Sequence, residues 1–189
     1  MILSEKEKCR KGLLYDGNYN EEMKLERIKA KKLCSKYNNT DYDDFETRNV
    51  IIKELFNKTG KNFIIEQNFY CDYGYNIEIG ENFYSNHNLV ILDPAKVTFG
   101  DNVFIGPNCG FYTAEHPLDI ETRNKGLEYA FPIKVGNNVW IGGNVSVLSG
   151  VTIGDNCTIG AGSVVVKDIP ANSVAVGNPC RVIKELKNE

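Results

Sequence analysis

The chain has 189 residues, enough for one sizeable domain with its own hydrophobic core. Its formal net charge is −3, so it lacks the strong positive charge that is typical of nucleic-acid-binding domains. The amino terminus has no apolar signal segment, and no stretch approaches the roughly 20 apolar residues that span a bilayer. Composition therefore predicts a globular cytoplasmic protein with neither a nucleic-acid partner nor a membrane partner.

Helical signals begin at the first residues. Ser4 and Glu7 have the spacing of a capping box, in which each side chain binds the main-chain N–H of the other residue. They predict a short helix that carries Leu13 and Leu14, and the glycine between the box and these leucines indicates that this helix ends early.

Two longer helices are predicted over residues 20–37 and 43–57, where apolar positions recur at helical spacing. The cations around residues 24–32 alternate with glutamates and are interpreted as a solvated face. Residues 1–60 are therefore expected to form a helical segment that buries its apolar stripes against another part of the protein. The expected stripes are Met23, Leu25, Ile28 and Leu33 in one helix, and Phe45, Val50, Ile51, Leu55 and Phe56 in the other.

A strict period of six residues begins at Val135. An aliphatic residue opens each block, glycine usually follows it, and the fifth residue is small or β-branched. This period matches neither an α-helix nor a simple strand, but it fits a short strand followed by a turn, as in a parallel β-helix. The aliphatic positions are Val135, Ile141, Val147, Ile153, Ile159 and Val165, and the glycines are Gly136, Gly142, Gly154 and Gly160.

The aliphatic residues are expected to point into the coil and to stack on their copies in the next coil. The glycines and asparagines beside them are expected to adopt backbone angles that a β-carbon disfavours. Weaker copies at Ile79, Ile91, Phe99 and Ile105 extend the β-helix over residues 61–189. An antiparallel sandwich with regular turns is the alternative architecture.

The repeat disappears between Tyr112 and Pro132, which predicts an excursion loop over residues 112–132. Long irregular segments inside compact domains tend to be functional, and this one carries His116. The only other histidine is His87, so a three-histidine zinc site cannot be built within this sequence. The six cysteines lack CxxC spacing and are expected to be reduced thiols, so no metal site is predicted.

Five segments resemble, in order and spacing, those of the maltose and galactoside O-acetyltransferases, a family of hexapeptide-repeat acyltransferases. The resemblance covers nearly the whole chain and is strongest to the maltose branch. It implies a left-handed parallel β-helix, acetyl-CoA as co-substrate, a small sugar as acceptor, and a homotrimer with each active site between two chains. The segments are CDYGYNIEIGENFYSN (71–86), HPLD (116–119), FPIKVGNNVWIG (131–142), GVTIGDNCTIGAGSVVVKDIP (150–170) and GNPCRVIKE (177–185).

For catalysis, the resemblance implies His116 as the general base, with Asn86 as a second catalytic residue. An imidazole suits this task because it can take a proton from a hydroxyl and release it again near neutral pH. A main-chain carbonyl or the Glu115 carboxylate is expected to hold its tautomer. His87 is interpreted as a structural or pocket-wall residue, and the alternative for His116 is a solvated loop histidine.

For the acceptor, the resemblance implies contacts with the carboxylates of Asp16, Asp72, Asp93 and Glu128. Asp72 and Glu128 favour the maltose branch, whereas Pro94 stands where galactoside enzymes carry a second aspartate. The alternative for each carboxylate is a cap on a turn or a helix.

For coenzyme A, the resemblance implies an oxyanion donor in a main-chain N–H, small residues beside the pantetheine arm, and cations for the phosphates. Two alternatives to a sugar acetyltransferase stay open: the same chemistry on another hydroxyl, such as a galactoside, an amino sugar or an antibiotic, and a non-catalytic β-helical scaffold. The implied coenzyme residues are Gly143, Ala161, Val166, Lys167, Arg181 and Lys184.

Overall fold

The computed structural model describes residues 2–186, in which three helices precede a three-faced coil of short strands. The helices are α1 (Glu5–Arg10), α2 (Glu21–Asn38) and α3 (Phe45–Leu55). Face 1 contains β1 (Phe63–Ile65), β4 (Phe83–Ser85), β7 (Val103–Ile105), β12 (Val139–Ile141), β15 (Thr158–Ile159), β17 (Ser173–Val176) and β18 (Arg181–Glu185). Face 2 contains β2 (Tyr70–Cys71), β5 (Val90–Leu92), β8 (Gly110–Tyr112), β13 (Ser146–Val147) and β16 (Val164–Val165). Face 3 contains β3 (Ile77–Glu78), β6 (Val97–Phe99), β11 (Ile133–Val135) and β14 (Thr152–Ile153).

Neighbouring strands in each face are parallel, except that β18 returns antiparallel to β17. One coil of three six-residue blocks takes 18 residues, which is the separation of the hydrogen-bonded pair Asn138 and Asn156. The corresponding separation is 20 residues for Asn88 and Asn108. It is 36 residues for Asn102 and Asn138, because the excursion lies between them. The expected left-handed parallel β-helix is therefore confirmed, and the sandwich is excluded.

The aliphatic positions of the repeat form the core of the coil, as predicted. None of the six is more than 4% exposed, and the residues at the fifth positions are buried as well. Burying each such aliphatic side chain contributes about 1.5–3 kcal/mol, so the repeated positions make a large contribution to the stability of the coil.

The glycines that follow the aliphatic residues of the repeat do not adopt the left-handed backbone angles that were expected of them. The left-handed backbone angles lie on asparagines, such as Asn138, Asn144 and Asn156, whose φ angles are 56°, 58° and 58°. At Gly142, a β-carbon would lie 2.6 Å from the main-chain nitrogen of Ala161 in the next coil. Glycine is therefore required there by the close approach of two coils.

Helix α1 begins with the predicted capping box. The Ser4 hydroxyl accepts the Glu7 N–H at 3.2 Å, and the Glu7 carboxylate accepts the Ser4 N–H at 2.7 Å. Leu13 and Leu14 lie beyond the helix and not on it, because Gly12 takes a left-handed conformation with a φ of 66° that ends the helix.

Helices α2 and α3 share one apolar core with the first coil, but their buried faces differ from the predicted stripes. Small side chains let α2 approach β2 closely, so the Cys34 sulfur lies 3.7 Å from the Cys71 sulfur. The buried apolar residues are Met23, Ala30, Cys34 and Tyr37 of α2 and Ile51, Ile52 and Leu55 of α3, whereas Leu25, Ile28, Phe45 and Val50 are between 41% and 63% exposed.

The excursion is an ordered hairpin, although its sequence lacks a repeat. Strands β9 (Ala114–Glu115) and β10 (Tyr129–Ala130) pair antiparallel, and α4 (Ile120–Asn124) lies between them. The Asp119 carboxylate caps α4 by accepting the Thr122 N–H at 2.8 Å. The excursion therefore holds the residues around His116 in a defined position beside face 2.

The six cysteines are buried free thiols. None of the helices in residues 2–186 has the combination of length and apolar character that crossing a bilayer demands. The same residues contain no group of three histidine, cysteine or carboxylate side chains that is arranged to hold a metal ion.

Candidate active site

We call the edge of the coil between face 1 and face 2 the first edge, and the edge between face 2 and face 3 the second edge. His116 lies directly after β9 and lines a cavity of about 360 Å³ at the second edge. Asp72 follows β2 and reaches the same cavity, and Glu128 enters it from the far end of the excursion. Three residues that the sequence predicts for one site are therefore brought together, although 56 residues separate the outermost pair in the chain (128 − 72 = 56).

The His116 ring is oriented by the main chain. Its Nδ1 lies 3.1 Å from the carbonyl oxygen of Leu127. A carbonyl only accepts hydrogen bonds, so Nδ1 carries the hydrogen and Nε2 of the neutral ring is free to act as a base. The expectation of a main-chain carbonyl is thus confirmed, and Glu115 does not serve this purpose. The side chain is 51% exposed, which leaves it accessible to a substrate.

Glu128 is held in place by two residues of the turn between α1 and α2. The Tyr15 hydroxyl donates to Oε2 at 2.8 Å, and the Asn18 side-chain amide donates to Oε1 at 3.0 Å. Oε1 lies 3.9 Å from Nε2 of His116. Neither Tyr15 nor Asn18 was identified from the sequence; the only signal was their position beside Asp16.

Two cations of α2, which belong to the predicted solvated face, also reach the cavity. Arg27 and Lys31 line it together with Asp72. The Arg27 guanidinium donates to the Tyr73 hydroxyl at 2.7 Å and to the carbonyl of Gly17. Burial raises the pKa of Asp72, whereas the nearby Arg27 and Lys31 charges act in the opposite direction.

Asp93 is buried beneath the cavity and has no exposed surface. One carboxylate oxygen accepts the N–H groups of Asp72 and Tyr73 at 3.0 and 2.9 Å, and the other accepts that of Gly74 at 2.8 Å. Burial raises the pKa of Asp93 to about 7, although these N–H groups oppose the shift. The expected direct contact with an acceptor is therefore corrected: Asp93 shapes the turn that presents Asp72.

Asp16 belongs to the turn between α1 and α2 and does not line the cavity. Its carboxylate accepts the N–H of Tyr19 at 2.8 Å, and its own N–H donates to Glu5 at 2.6 Å. This geometry matches the turn-cap alternative, and a contact with the acceptor stays a prediction for Asp16.

Asn86 lies on the first edge of the coil, between face 1 and face 2, and so apart from His116. Its N–H continues the stack of coils by donating to the Ile105 carbonyl at 2.9 Å. Gly143 and Ala161 occupy the same edge in later coils, where the Gly143 carbonyl accepts the N–H of Gly162 at 2.9 Å. Within residues 2–186 the Gly143 N–H has no acceptor.

The remaining coenzyme candidates fall in two other places. Val166 and Lys167 follow β16 on the second edge, and both are exposed. Arg181 and Lys184 lie on β18, the exposed strand that closes face 1. A single chain therefore divides the predicted site between the two edges of face 2 and the strand that closes face 1.

Comparison with known proteins agrees with this architecture. The maltose acetyltransferase hexapeptide capping motif matches residues 8–60, and the bacterial transferase hexapeptide (six repeats) matches residues 132–167. The crystal structure of a maltose O-acetyltransferase from Clostridium difficile 630 superimposes with a TM-score of 0.96 at 53% identity, over 98% of this chain and 99% of that one.

A galactoside acetyltransferase solved in complex with coenzyme A has a TM-score of 0.95 at 46% identity, over 98% of this chain and 92% of that one. A putative acetyltransferase of Saccharomyces cerevisiae is 56% identical over 175 residues, which cover 93% of this chain and 89% of the yeast protein. This chain therefore belongs to the maltose and galactoside O-acetyltransferase family of hexapeptide-repeat acyltransferases.

Proposed function

We propose that the protein transfers the acetyl group of acetyl-CoA to a hydroxyl of a small sugar such as maltose or glucose. The observation that carries this proposal is the free Nε2 of His116 beside the carboxylates of Asp72 and Glu128 in one cavity. Carboxylates accept hydrogen bonds from hydroxyl groups, so this lining suits a polyol. The relative with bound coenzyme A supports the choice of donor.

The reaction follows as a direct transfer. Nε2 of His116 takes the proton of the acceptor hydroxyl while its oxygen attacks the thioester carbonyl carbon. The resulting oxyanion accepts a hydrogen bond from the Gly143 N–H. The C–S bond then breaks, and the imidazolium returns the proton to the departing thiolate. No acyl-enzyme is required, since none of the thiols in residues 2–186 lines the cavity.

Acetyl-CoA itself is expected to lie along the first edge and to reach the C-terminal strand. Gly143 and Ala161 have no bulky side chain there, which leaves room for a pantetheine arm beside the main chain. Arg181 and Lys184 supply positive charge for the phosphate groups, and Lys167 would add to it from the second edge of a neighbouring chain.

A homotrimer supports this arrangement because it reunites the two edges. In a cyclic trimer every interface joins different surfaces of two neighbours, so the second edge of one chain can meet the first edge of the next. The outward residues Ser146 and Val164 of face 2 suit close approach around such an axis, since they are small and stand in register. His116 of one chain would then share a site with Asn86 of another.

The direct test measures thiol release from acetyl-CoA with and without each acceptor, and identifies the acetylated product by mass spectrometry. Maltose, glucose, a galactoside, an amino sugar and an antibiotic form the panel. We expect maltose or glucose to give the fastest release. A preference for another acceptor class would support the same chemistry on a different hydroxyl, and failure to bind acetyl-CoA would favour the scaffold.

Mixed trimers test the shared site. We expect His116→Ala and Asn86→Ala each to be nearly inactive, and coexpression in equal amounts to restore activity. Random mixing combines an intact His116 with an intact Asn86 at about one quarter of the interfaces of a cyclic trimer, so about a quarter of wild-type activity should return. Absence of recovery in trimers shown by mass to contain both variants would contradict a site built from two chains.

A further inference from the structure

The contacts that hold Glu128 come from a distant part of the chain. Tyr15 and Glu128 are 113 residues apart, yet their main chains form an antiparallel bridge with N–O distances of 3.0 Å in both directions. Asn18 donates to the carbonyl of Gly126 at 2.7 Å as well as to Glu128 Oε1 at 3.0 Å. The turn between α1 and α2 is thereby joined to the excursion at the residue that enters the cavity.

Tyr15 is a rigid donor in this arrangement. Its side chain is only 1% exposed, and a β-carbon at Gly17 would lie 2.7 Å from its ring. Burial, followed by the negative charge of Glu128, raises the pKa of Tyr15 far above its usual value, so the hydroxyl keeps its proton and donates near neutral pH. The carboxylate is therefore held at Oε2 by a group that has little freedom to move.

The geometry leaves one oxygen of Glu128 available beside the base. A carboxylate has about four acceptor sites, and Tyr15 and Asn18 use two of them. The 3.9 Å between Oε1 and Nε2 of His116 is too long for a hydrogen bond, so the two atoms do not satisfy each other. Two neighbouring hydroxyl groups can instead bind side by side, one donating to Nε2 and the other to Oε1.

We propose that Tyr15 and Asn18 are positioning residues, which hold Glu128 so that it binds a second hydroxyl of the acceptor next to the one that His116 deprotonates. The acceptor class is then a polyol with two neighbouring hydroxyl groups, not an isolated alcohol. This inference rests on the proposed sugar acetylation.

The test compares Tyr15→Phe, Glu128→Ala and the double variant, using the best sugar of the acceptor panel. A hydrogen bond to a charged group is among the stronger ones in a protein, and we expect part of its contribution to appear in binding. Tyr15→Phe should raise the KM for the sugar about 5- to 20-fold and leave the KM for acetyl-CoA unchanged. In the Glu128→Ala background, the same change should alter the KM by less than about 2-fold, because Tyr15 acts through Glu128.

Monodeoxy analogues of that sugar provide the second readout. Wild-type protein should discriminate strongly against one analogue that still contains the reacting hydroxyl, and Glu128→Ala should lose most of that discrimination. Tyr15→Phe should lose part of it. Asn18→Ala should behave like Tyr15→Phe, since its amide holds the other carboxylate oxygen.

Tyr75→Phe is the matched control, because the Tyr75 hydroxyl donates to Glu26 at 2.8 Å in a second tyrosine–glutamate pair away from the cavity. It should leave both KM values unchanged. Equal kinetic effects of the two tyrosine variants, or a Tyr15→Phe effect that persists in full without Glu128, would overturn the inference. Loss of sugar-dependent activity in the wild-type protein would instead contradict the proposed function.

Discussion

Replacement of His116 by alanine is expected to lower kcat for acetyl transfer about 100- to 10,000-fold, the usual contribution of a positioned general base. The loss of kcat is expected because, among residues 2–186, no other side chain that lines the cavity offers an imidazole nitrogen to the substrate. Steady-state thiol release at saturating sugar measures it. The variant should fold normally, since the side chain is 51% exposed and packs little.

Glu115→Gln is the matched control for His116. Glu115 precedes the histidine and is exposed, and the Leu127 carbonyl already orients the ring. This neighbouring substitution should therefore leave kcat unchanged. If His116→Ala retained more than about a tenth of wild-type kcat, a general-base role for the histidine would be untenable.

Asp93→Ala is expected to lower the free energy of unfolding by about 3–5 kcal/mol. The carboxylate accepts main-chain N–H groups of Asp72, Tyr73 and Gly74, and its removal leaves all three without this partner and those of Tyr73 and Gly74 buried. Each unsatisfied buried group costs about 1–3 kcal/mol. Urea denaturation measures the loss, and the disturbed turn should also raise the KM for the sugar through Asp72.

Asp101→Ala provides the control for Asp93. The Asp101 carboxylate also accepts a main-chain N–H, that of Glu81 at 2.7 Å, but it is exposed and water can replace it. We expect a loss below about 1 kcal/mol. Equal losses in the two variants would show that burial is not the cause.

The stability lost in Asp93→Ala is expected to depend on pH. The pKa of Asp93 is raised to about 7 by burial, so between about pH 4 and pH 7 the folded protein holds a proton that the unfolded chain has released. The contribution of Asp93 to stability therefore falls as the pH rises through this window. The cost of Asp93→Ala should accordingly be larger near pH 5 than near pH 7.5.

Local patterns predicted much of the fold because they report on local geometry. The aliphatic residues from Val135 onward are all buried as expected, since each block of six makes one strand and one turn. The Ser4 capping box is present because its hydrogen bonds span only three residues. The helix faces were less predictable: Leu25 is 63% exposed while Ala30 is buried, because the neighbouring coil decides which side of α2 is covered.

In the candidate site, too, the sequence predicted individual residues but not the contacts between residues that lie far apart in the chain. His116 and Asp72 were predicted for one site and line one cavity, whereas Asp93 was predicted as an acceptor contact and is fully buried. The sequence does not reveal that the Asp93 side chain points at the turn of the preceding coil, where it binds main-chain N–H groups, and not into the cavity. The contact of Tyr15 was likewise hidden, because its partner Glu128 is 113 residues away.

The amino-acid sequence alone determined the coil, its inward-facing residues and the interruption that carries His116, because a repeat of six constrains every strand in the same way. Only the tertiary structure decided which distant groups share a cavity and that His116 and Asn86 lie on opposite edges of face 2. The reason is geometric. Successive coils stack residues 16 to 36 positions apart in the chain, and these separations vary with each turn and with the inserted excursion.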